Sequence, residues 1–486
     1  MGTLTRRRFL AHSTAAGVGA VVGAGCGRAS EDTPGAEAGR VVAEEAVAGE
    51  SPGSRPPHIV LIMLDTLRAD KLGCYGYPHD TSPALDALAA RGVVFERAVA
   101  QCSWTRPSVG SLLTSRYARD LGLYVEHNEI LNSRFETIGT LLKQHGYTTF
   151  GATANPNMNR SYNFHLGFDE YIESAVVFSW MEEAHDDNVR GRVSLPSAPR
   201  LYEQTLDFAR RHPQGPCYVQ LNLMEIHEWY VRDNYTLRRP EYQGLFLDVG
   251  ERYPKYLQSV RQLTDDTAGF MEALSGLAGW EDTLFVILSD HGEGLDDHPG
   301  IAKSLYHGWL LYESQVVVPW ILYRPGWTPA QRRIAQPVRL LELLPTVLDF
   351  AGAPIPEDIA GVSLKPLVEG RVASAALPEY FITETDFRGA SKVGAYAAAW
   401  KYFNNIAPHA GLPPHELQAR GGREQGLRTN QSRRRAEDME PLRAYVEAWM
   451  REHPKTPPTP QLQALSEEER RQLEAIGYLG DEEETP

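Results

Sequence analysis

Cysteine is scarce in this chain: Cys26, Cys74, Cys102 and Cys217 are all there is in 486 residues. Four are too few to staple a chain this long, and no pair has zinc-ligand spacing. Cysteines scattered in this way usually pack as small buried hydrophobes. Net positive charge is missing as well; the formal charge is −15. That argues against a nucleic-acid partner, which calls for a basic face. It leaves an anionic small substrate open, because a bound metal ion inverts the local field. Long apolar runs are absent too, since the Gly/Ala/Val-rich segment 11–25 is too short and too weakly apolar to span a membrane. What is present is a globular composition, 42% hydrophobic. The length fits one large domain with a smaller one, or two to three of ordinary size.

Residues 1–26 read as a targeting segment and stand outside the fold. Thr5-Arg6-Arg7-Arg8-Phe9-Leu10 resembles a twin-arginine export signal. Gly23-Ala24-Gly25-Cys26 is similar to a lipobox, with Gly23 where a larger aliphatic residue is usual. The expectation is export by the twin-arginine machinery to the periplasmic or envelope side. A lipid on Cys26 would then be the only membrane anchor; the alternative is cleavage nearby and release. Residues 27–56, rich in Gly, Ala, Glu, Pro and Ser, read as a disordered linker.

From His58 onward the pattern alternates. Continuous apolar runs at 59–64, 217–224 and 283–289 fit strands covered on both faces, as in a parallel sheet. Further strands are expected at 93–95, 147–154, 315–323 and 396–403. Helices are expected at 82–92, from about 105, and at 134–146, 199–212, 256–279, 340–352, 438–452 and 466–476. Ser82 and Pro83 mark one helix start, and Ser466 with Glu469 forms a capping-box signature at another. The fold class expected is α/β, a largely parallel sheet flanked by helices over 57–370, with a small α+β subdomain over 371–486. Residues 172–198 and 229–255 lack periodicity and read as insertions on the ligand side.

In open α/β sheets ligands bind beyond the carboxyl ends of the strands. Three strand ends carry Asp65, His227 and the pair Asp290-His291. The stretch QCSWTRPSVGSLLTS (101–115) opens a helix and places Thr105 in its first turn. Thr105 has two readings, a simple helix cap or a nucleophile at an anion-binding helix start. Asp65 likewise has two, a cap or a site acid. Two carboxylates and an imidazole suit a divalent cation of intermediate hardness, and such a cation would activate a threonine hydroxyl.

These pieces, in order, resemble the sulfatase family of the alkaline-phosphatase superfamily. The matching stretches include IVLIMLDTLRADKLGCYGY (59–77), WTRPSVGSLLTS (104–115), LMEIHEWY (223–230), VILSDHGEGLDDH (286–298) and HGWLLYESQVVVPWILYRP (307–325). The resemblance implies one divalent metal ion (Ca, Mg, Mn or Zn) held by Asp65, Asp290, His291 and Thr105. It implies catalytic roles for Thr105, His227 and His307, with Arg106 and Trp229 as substrate contacts. The substrate implied is a small anionic ester, a glycan or a lipid head group.

Three departures limit the carry-over. The family's second aspartate is Thr66 here. The cysteine that becomes formylglycine in Cys-x-Pro-x-Arg is Thr105, and that motif's arginine is Val109. The set left behind resembles the single-metal, threonine-nucleophile branches of the superfamily; the resemblance implies a hydrolase or transferase of sulfate or phosphate esters, with phospho-esters slightly favoured. Two alternatives stay open. One is a non-catalytic envelope protein binding anionic glycans or lipid head groups. The other is an arylsulfatase-type hydrolase using formylglycine made from Cys102, which has Arg106 at the right spacing.

Overall fold

The structure, a computed structural model, describes residues 55–124, 129–174, 198–230, 240–298, 300–329, 332–407, 411–420, 426–461 and 465–475. The export signal, Cys26, most of the linker and most of the first insertion lie outside these residues.

Among the described residues, eleven strands build the first part of the chain: β1 (His58–Leu64), β2 (Val93–Phe95), β3 (Ala98–Val99), β4 (Thr148–Thr153), β5 (Glu170–Ile172), β6 (Cys217–Leu223), β7 (Thr283–Leu288), β8 (Val317–Val318), β9 (Trp320–Tyr323), β10 (Arg333–Ile334) and β11 (Val338–Arg339). Eight of them form one sheet in the order β10-β2-β9-β7-β1-β6-β4-β5. The pairs β7–β1, β1–β6, β6–β4, β4–β5 and β10–β2 are parallel; β9 runs antiparallel to both its neighbours. Every residue of β1, β6 and β7 is buried, which is why these strands read as unbroken apolar runs rather than alternating ones. Each fully buried Leu, Ile or Val contributes on the order of 1.5–3 kcal/mol to burial. Helices Pro83–Ala89 and Ala198–Arg211 pack on the long helix Pro254–Ser275. Helices Thr105–Thr114 and Ile138–Gln144 pack on Leu343–Ala351.

The run expected as one strand over 315–323 is broken. Glu313–Val316 is a helical turn, β8 joins a separate three-stranded sheet with β3 and β11, and only β9 enters the main sheet. Pro319 sits at the break, where it has no N–H to give a ladder. Ser82 does not cap its helix; its hydroxyl donates to Asp86 Oδ1 at 2.9 Å and accepts the Gly73 N–H at 3.0 Å. The box at Ser466 is formed: Ser466 Oγ accepts Glu469 N–H at 3.2 Å, and Ser466 N–H donates to the Glu469 carboxylate at 3.0 Å.

The last quarter is an antiparallel sheet, β12 (Phe381–Phe387), β13 (Ala390–Tyr396), β14 (Trp400–Ala407) and β15 (His415–Ala419), covered by helix Ala436–Glu452. The strand expected at 396–403 is a correction, because that span straddles the β13–β14 turn. A buried ion pair, Arg119 Nε to Glu384 Oε2 at 2.8 Å, ties this sheet to the short helix Ala118–Leu121.

Candidate active site

Four adjacent parallel strands, β7, β1, β6 and β4, deliver Asp290, Asp65, His227 and Asn155 just past their carboxyl ends. Two hydroxyls lace the loops together. Ser289 Oγ donates to His291 O at 2.7 Å and accepts Leu67 N–H at 3.0 Å. Tyr256 donates to Thr66 O at 2.8 Å and accepts Arg68 N–H at 2.9 Å. Thr66 itself sits at φ 59°, a left-handed conformation that is uncommon for a β-branched residue. Its hydroxyl turns back on Asp65 O at 2.7 Å, so the residue standing at the family's second aspartate is engaged with its own backbone.

The Gly-Glu-Gly after His291 has a steric cause. A Cβ on Gly292 would lie 2.1 Å from Ser314 O, and one on Gly294 would lie 2.0 Å from Ser304 O. Without side chains there, segment 304–315 packs flat on the strand end and carries His307 in. The His307 ring centre is 4.5 Å from that of His291 and 5.1 Å from that of His227.

Asp65, Asp290 and His291 are wholly buried, and each offers one ligand atom within 4.8 Å of the others. His291 Nε2 is 3.4 Å from Asp290 Oδ2 and 3.8 Å from Asp65 Oδ1. The opposite nitrogen, Nδ1, is 3.0 Å from Gly292 O; a carbonyl only accepts, so Nδ1 carries the hydrogen and Nε2 presents a lone pair to the group. Thr105 Oγ1 is 3.2 Å from that Nε2. Asn155 Nδ2 donates both to Thr105 Oγ1 at 3.2 Å and to Asp65 Oδ2 at 2.8 Å. Asn155 escaped the sequence reading, where it marked only the end of a strand.

The cap reading of Thr105 does not hold. Thr105 is the first helical residue, Trp104 is the N-cap position, and no side chain caps this helix. The Thr105 hydroxyl faces His291 and Asn155 instead. Asp65 does not cap either; its bonded oxygen is held by Asn155.

Among the described residues, Asp65 Oδ1 and both oxygens of Asp290 are buried without a hydrogen-bond partner. Burial, and for Asp65 also the Asp290 charge, raises both acids, Asp290 to about 6. Burial, then the charge of His307, lowers His291 to about 3. Burial acts against a charge on His227 too, but Glu228, Asp65 and Glu293 outweigh it and raise that imidazole to about 9. Orphaned carboxylate oxygens beside a neutral imidazole are the donor set a divalent cation completes.

The expected substrate contacts are enclosed. Arg106, 1% exposed, donates to Asn157 Oδ1 at 2.8 Å and lies 3.8 Å above the Tyr162 ring. Trp229, 4% exposed, donates its indole N–H to Glu293 Oε2 at 3.4 Å and meets Tyr253 edge-on, so its polar end is used inside the protein. Cys102 is elsewhere. Its backbone pairs with that of Glu384, and burial together with Glu384 and Asp386 pushes its thiol well up, away from thiolate chemistry.

Comparison with known proteins gives the family. The family model described as Sulfatase matches residues 57–353. An arylsulfatase of Clostridium perfringens is 24% identical over 385 residues, spanning 65% of this chain and 79% of its own length. Human arylsulfatase A is 27% identical over 407 residues, spanning 74% and 77%. A phosphonate monoester hydrolase from Silicibacter pomeroyi superposes with a TM-score of 0.63 at 19% identity, covering 82% of this chain and 96% of that one. The match spans well over half of the chain, and with the fold and the strand-end site it shows that the protein belongs to the sulfatase family, a family of ester hydrolases.

Proposed function

We propose that this protein is a metal-dependent hydrolase or transferase of phospho-esters in which Thr105 is the nucleophile. The observation that carries the reading is the direction of the Thr105 hydroxyl, 3.2 Å from His291 Nε2 and away from its own helix. Asp65, Asp290, His291 and Thr105 would hold one divalent cation, since the orphaned carboxylate oxygens and the lone pair on His291 Nε2 fit one. When bound, the ion supplies positive charge beside the nucleophile and the group being transferred.

The chain's own residues do the rest. Asn155 donates to Thr105 Oγ1 and so favours its deprotonated form. Thr105 gives up its hydroxyl proton to solvent, Oγ1 attacks phosphorus, a new O–P bond forms, and the bond to the leaving oxygen breaks. His227 or His307 gives that oxygen a proton. Water or another alcohol then attacks the phosphothreonine and restores Thr105. Sulfate is the poorer fit. A formylglycine hydrate has a second hydroxyl through which it expels sulfate, and a threonine has none. The phosphonate monoester hydrolase among the structural relatives supports the phospho-ester reading. Arg106 is our candidate for contact with the substrate anion, and Trp229 for a support acting through Glu293.

Purified protein supplied with Mg, Mn, Ca or Zn should cleave phosphodiesters or phosphonate monoesters faster than aryl sulfates. Thr105→Ala should retain the metal and lose turnover. Aryl-sulfate cleavage as the dominant activity, or full turnover by Thr105→Ala, would refute the proposal. A non-catalytic binder is disfavoured, because three buried orphaned carboxylate oxygens are costly without a cation.

Thr5–Leu10 supports export, and Cys26 supports either a lipid anchor or cleavage nearby with release. Membrane fractionation of wild type and Cys26→Ala decides between anchoring and release.

A further inference from the structure

Two buried carboxylates stand behind the two histidines that the scheme uses. Glu228, 2% exposed, accepts the Nδ1 hydrogen of His227 at 3.0 Å. Glu293 is wholly buried and faces His307 Nδ1 at 3.3 and 3.4 Å. It also takes the Gly294 N–H at 3.0 Å and the Trp229 indole N–H at 3.4 Å. A carboxylate is an acceptor, so both imidazoles carry their hydrogen at Nδ1 toward it. The edge turned away from the carboxylate is Nε2 in each. For His227 the result is visible, since its Nε2 is buried and no group among the described residues hydrogen-bonds it. His227 is also among the charges acting on both Asp65 and Asp290, and His307 among those acting on Asp290 and His291.

This doubling has a cost that a packing role does not explain. Burying a carboxylate is expensive unless charge or donors compensate. Glu293 collects three donors from three segments: the strand-end loop, the turn at 227–230 and the 304–315 stretch. Each holds one part of the site in place.

We propose that Glu228 and Glu293 are positioning residues, each fixing one imidazole through Nδ1 so that His227 and His307 turn their Nε2 edges to the transferred group. What the imidazoles do there rests on the Thr105 reading; what the carboxylates do rests on geometry. As the Thr105 Oγ–P bond forms and the leaving P–O bond breaks, the departing oxygen takes the Nε2 proton. An alkoxide leaving group needs that proton, whereas p-nitrophenolate departs without it. Turning the imidazole away therefore hurts poor leaving groups selectively.

The test uses Glu228→Ala and Glu293→Ala in the full, metal-loaded chain. With 15N-labelled histidine, wild type should show two hydrogen-bonded Nδ1–H signals from these imidazoles. One should vanish in each variant while metal content stays at the wild-type level. For a phosphodiester with an alkyl leaving group, kcat should fall at least about tenfold. With a p-nitrophenyl leaving group it should hold to within about threefold, and KM should hold in both cases. Should an alanine variant fail to fold, Glu→Gln keeps the size and one accepting oxygen, and the same signals should shift. Unchanged Nδ1–H signals, or equal losses with both leaving groups, would overturn the proposal. If wild type turns over neither ester, the Thr105 reading fails and the NMR result alone decides this one.

Discussion

Thr105 Oγ1 lies 3.2 Å from His291 Nε2, although the two residues are 186 positions apart and belong to a helix start and a strand end. The contact requires that the helix Thr105–Thr114 open against the carboxyl end of β7. Ser108, one turn on, donates to Asp290 O at 2.6 Å and fixes that approach. Local capping chemistry is thereby replaced by a contact that only the tertiary fold supplies.

The strand-end carboxylates should be poor for the metal-free fold and good for the metal-bound one. Asp290 is raised by burial to about 6, above its unfolded value of 3.8. Its charged form therefore penalises the apo fold as pH climbs from 3.8 through 6. Asp290→Asn should raise the thermal midpoint of apo protein at pH 7, because it removes an uncompensated buried charge. The same change should weaken metal binding by at least about 10- to 100-fold. In wild type, affinity should fall as pH drops through about 6, with proton uptake on release. Calorimetric titration at two pH values, with melts of both proteins, checks the set. A destabilised apo Asp290→Asn would contradict it.

Cys102 should be dispensable for chemistry. It pairs with Glu384 in the link to the C-terminal sheet, and its thiol is pushed well up by burial. Cys102→Ser is expected to keep kcat/KM within about twofold, the range of a conservative substitution away from the reacting groups. Peptide mass spectrometry should find an unmodified cysteine at 102. Formylglycine there would reverse the conclusion.

Acid should unfold the protein partly through His58. This residue opens β1, stacks on Trp280 at 4.0 Å, and accepts the Cys217 N–H on Nδ1 at 3.2 Å. Nε2 then donates to Gly279 O at 2.8 Å. Burial lowers its pKa from 6.5 to about 4. A lowered base contributes stability that is full above pH 6.5 and lost as pH falls toward 4, here on the order of 2–3 kcal/mol. His58→Gln should flatten stability against pH across that window in urea titrations. Parallel curves for the two proteins would count against His58 as the source.

Much of this was legible in the residues, for identifiable reasons. Strands β1, β6 and β7 are buried on both faces, so their composition alone announced them, and the acids that follow fell at the right edge. Asn155 was not legible as a site residue, because its role depends on β4 lying beside β6, and pairing order leaves no local mark. Glu228 and Glu293 were visible as letters but not as partners, since His307 reaches Glu293 only through the packing at Gly292 and Gly294. The β13–β14 hairpin was misread because its turn is Ala397-Ala398-Ala399, without the Gly, Asn or Asp that usually signals one. Pro319 is a local mark of the break, because a proline has no N–H to give a ladder.

The central claim is that Thr105 takes the transferred group. Rapid quenching of metal-loaded protein during turnover of a p-nitrophenyl phosphodiester, followed by peptide mapping, tests it most directly. The account predicts one phosphoryl-ester adduct on the peptide carrying Thr105, absent from Thr105→Ala. An adduct on another residue, or steady turnover by Thr105→Ala at the wild-type rate, would contradict it.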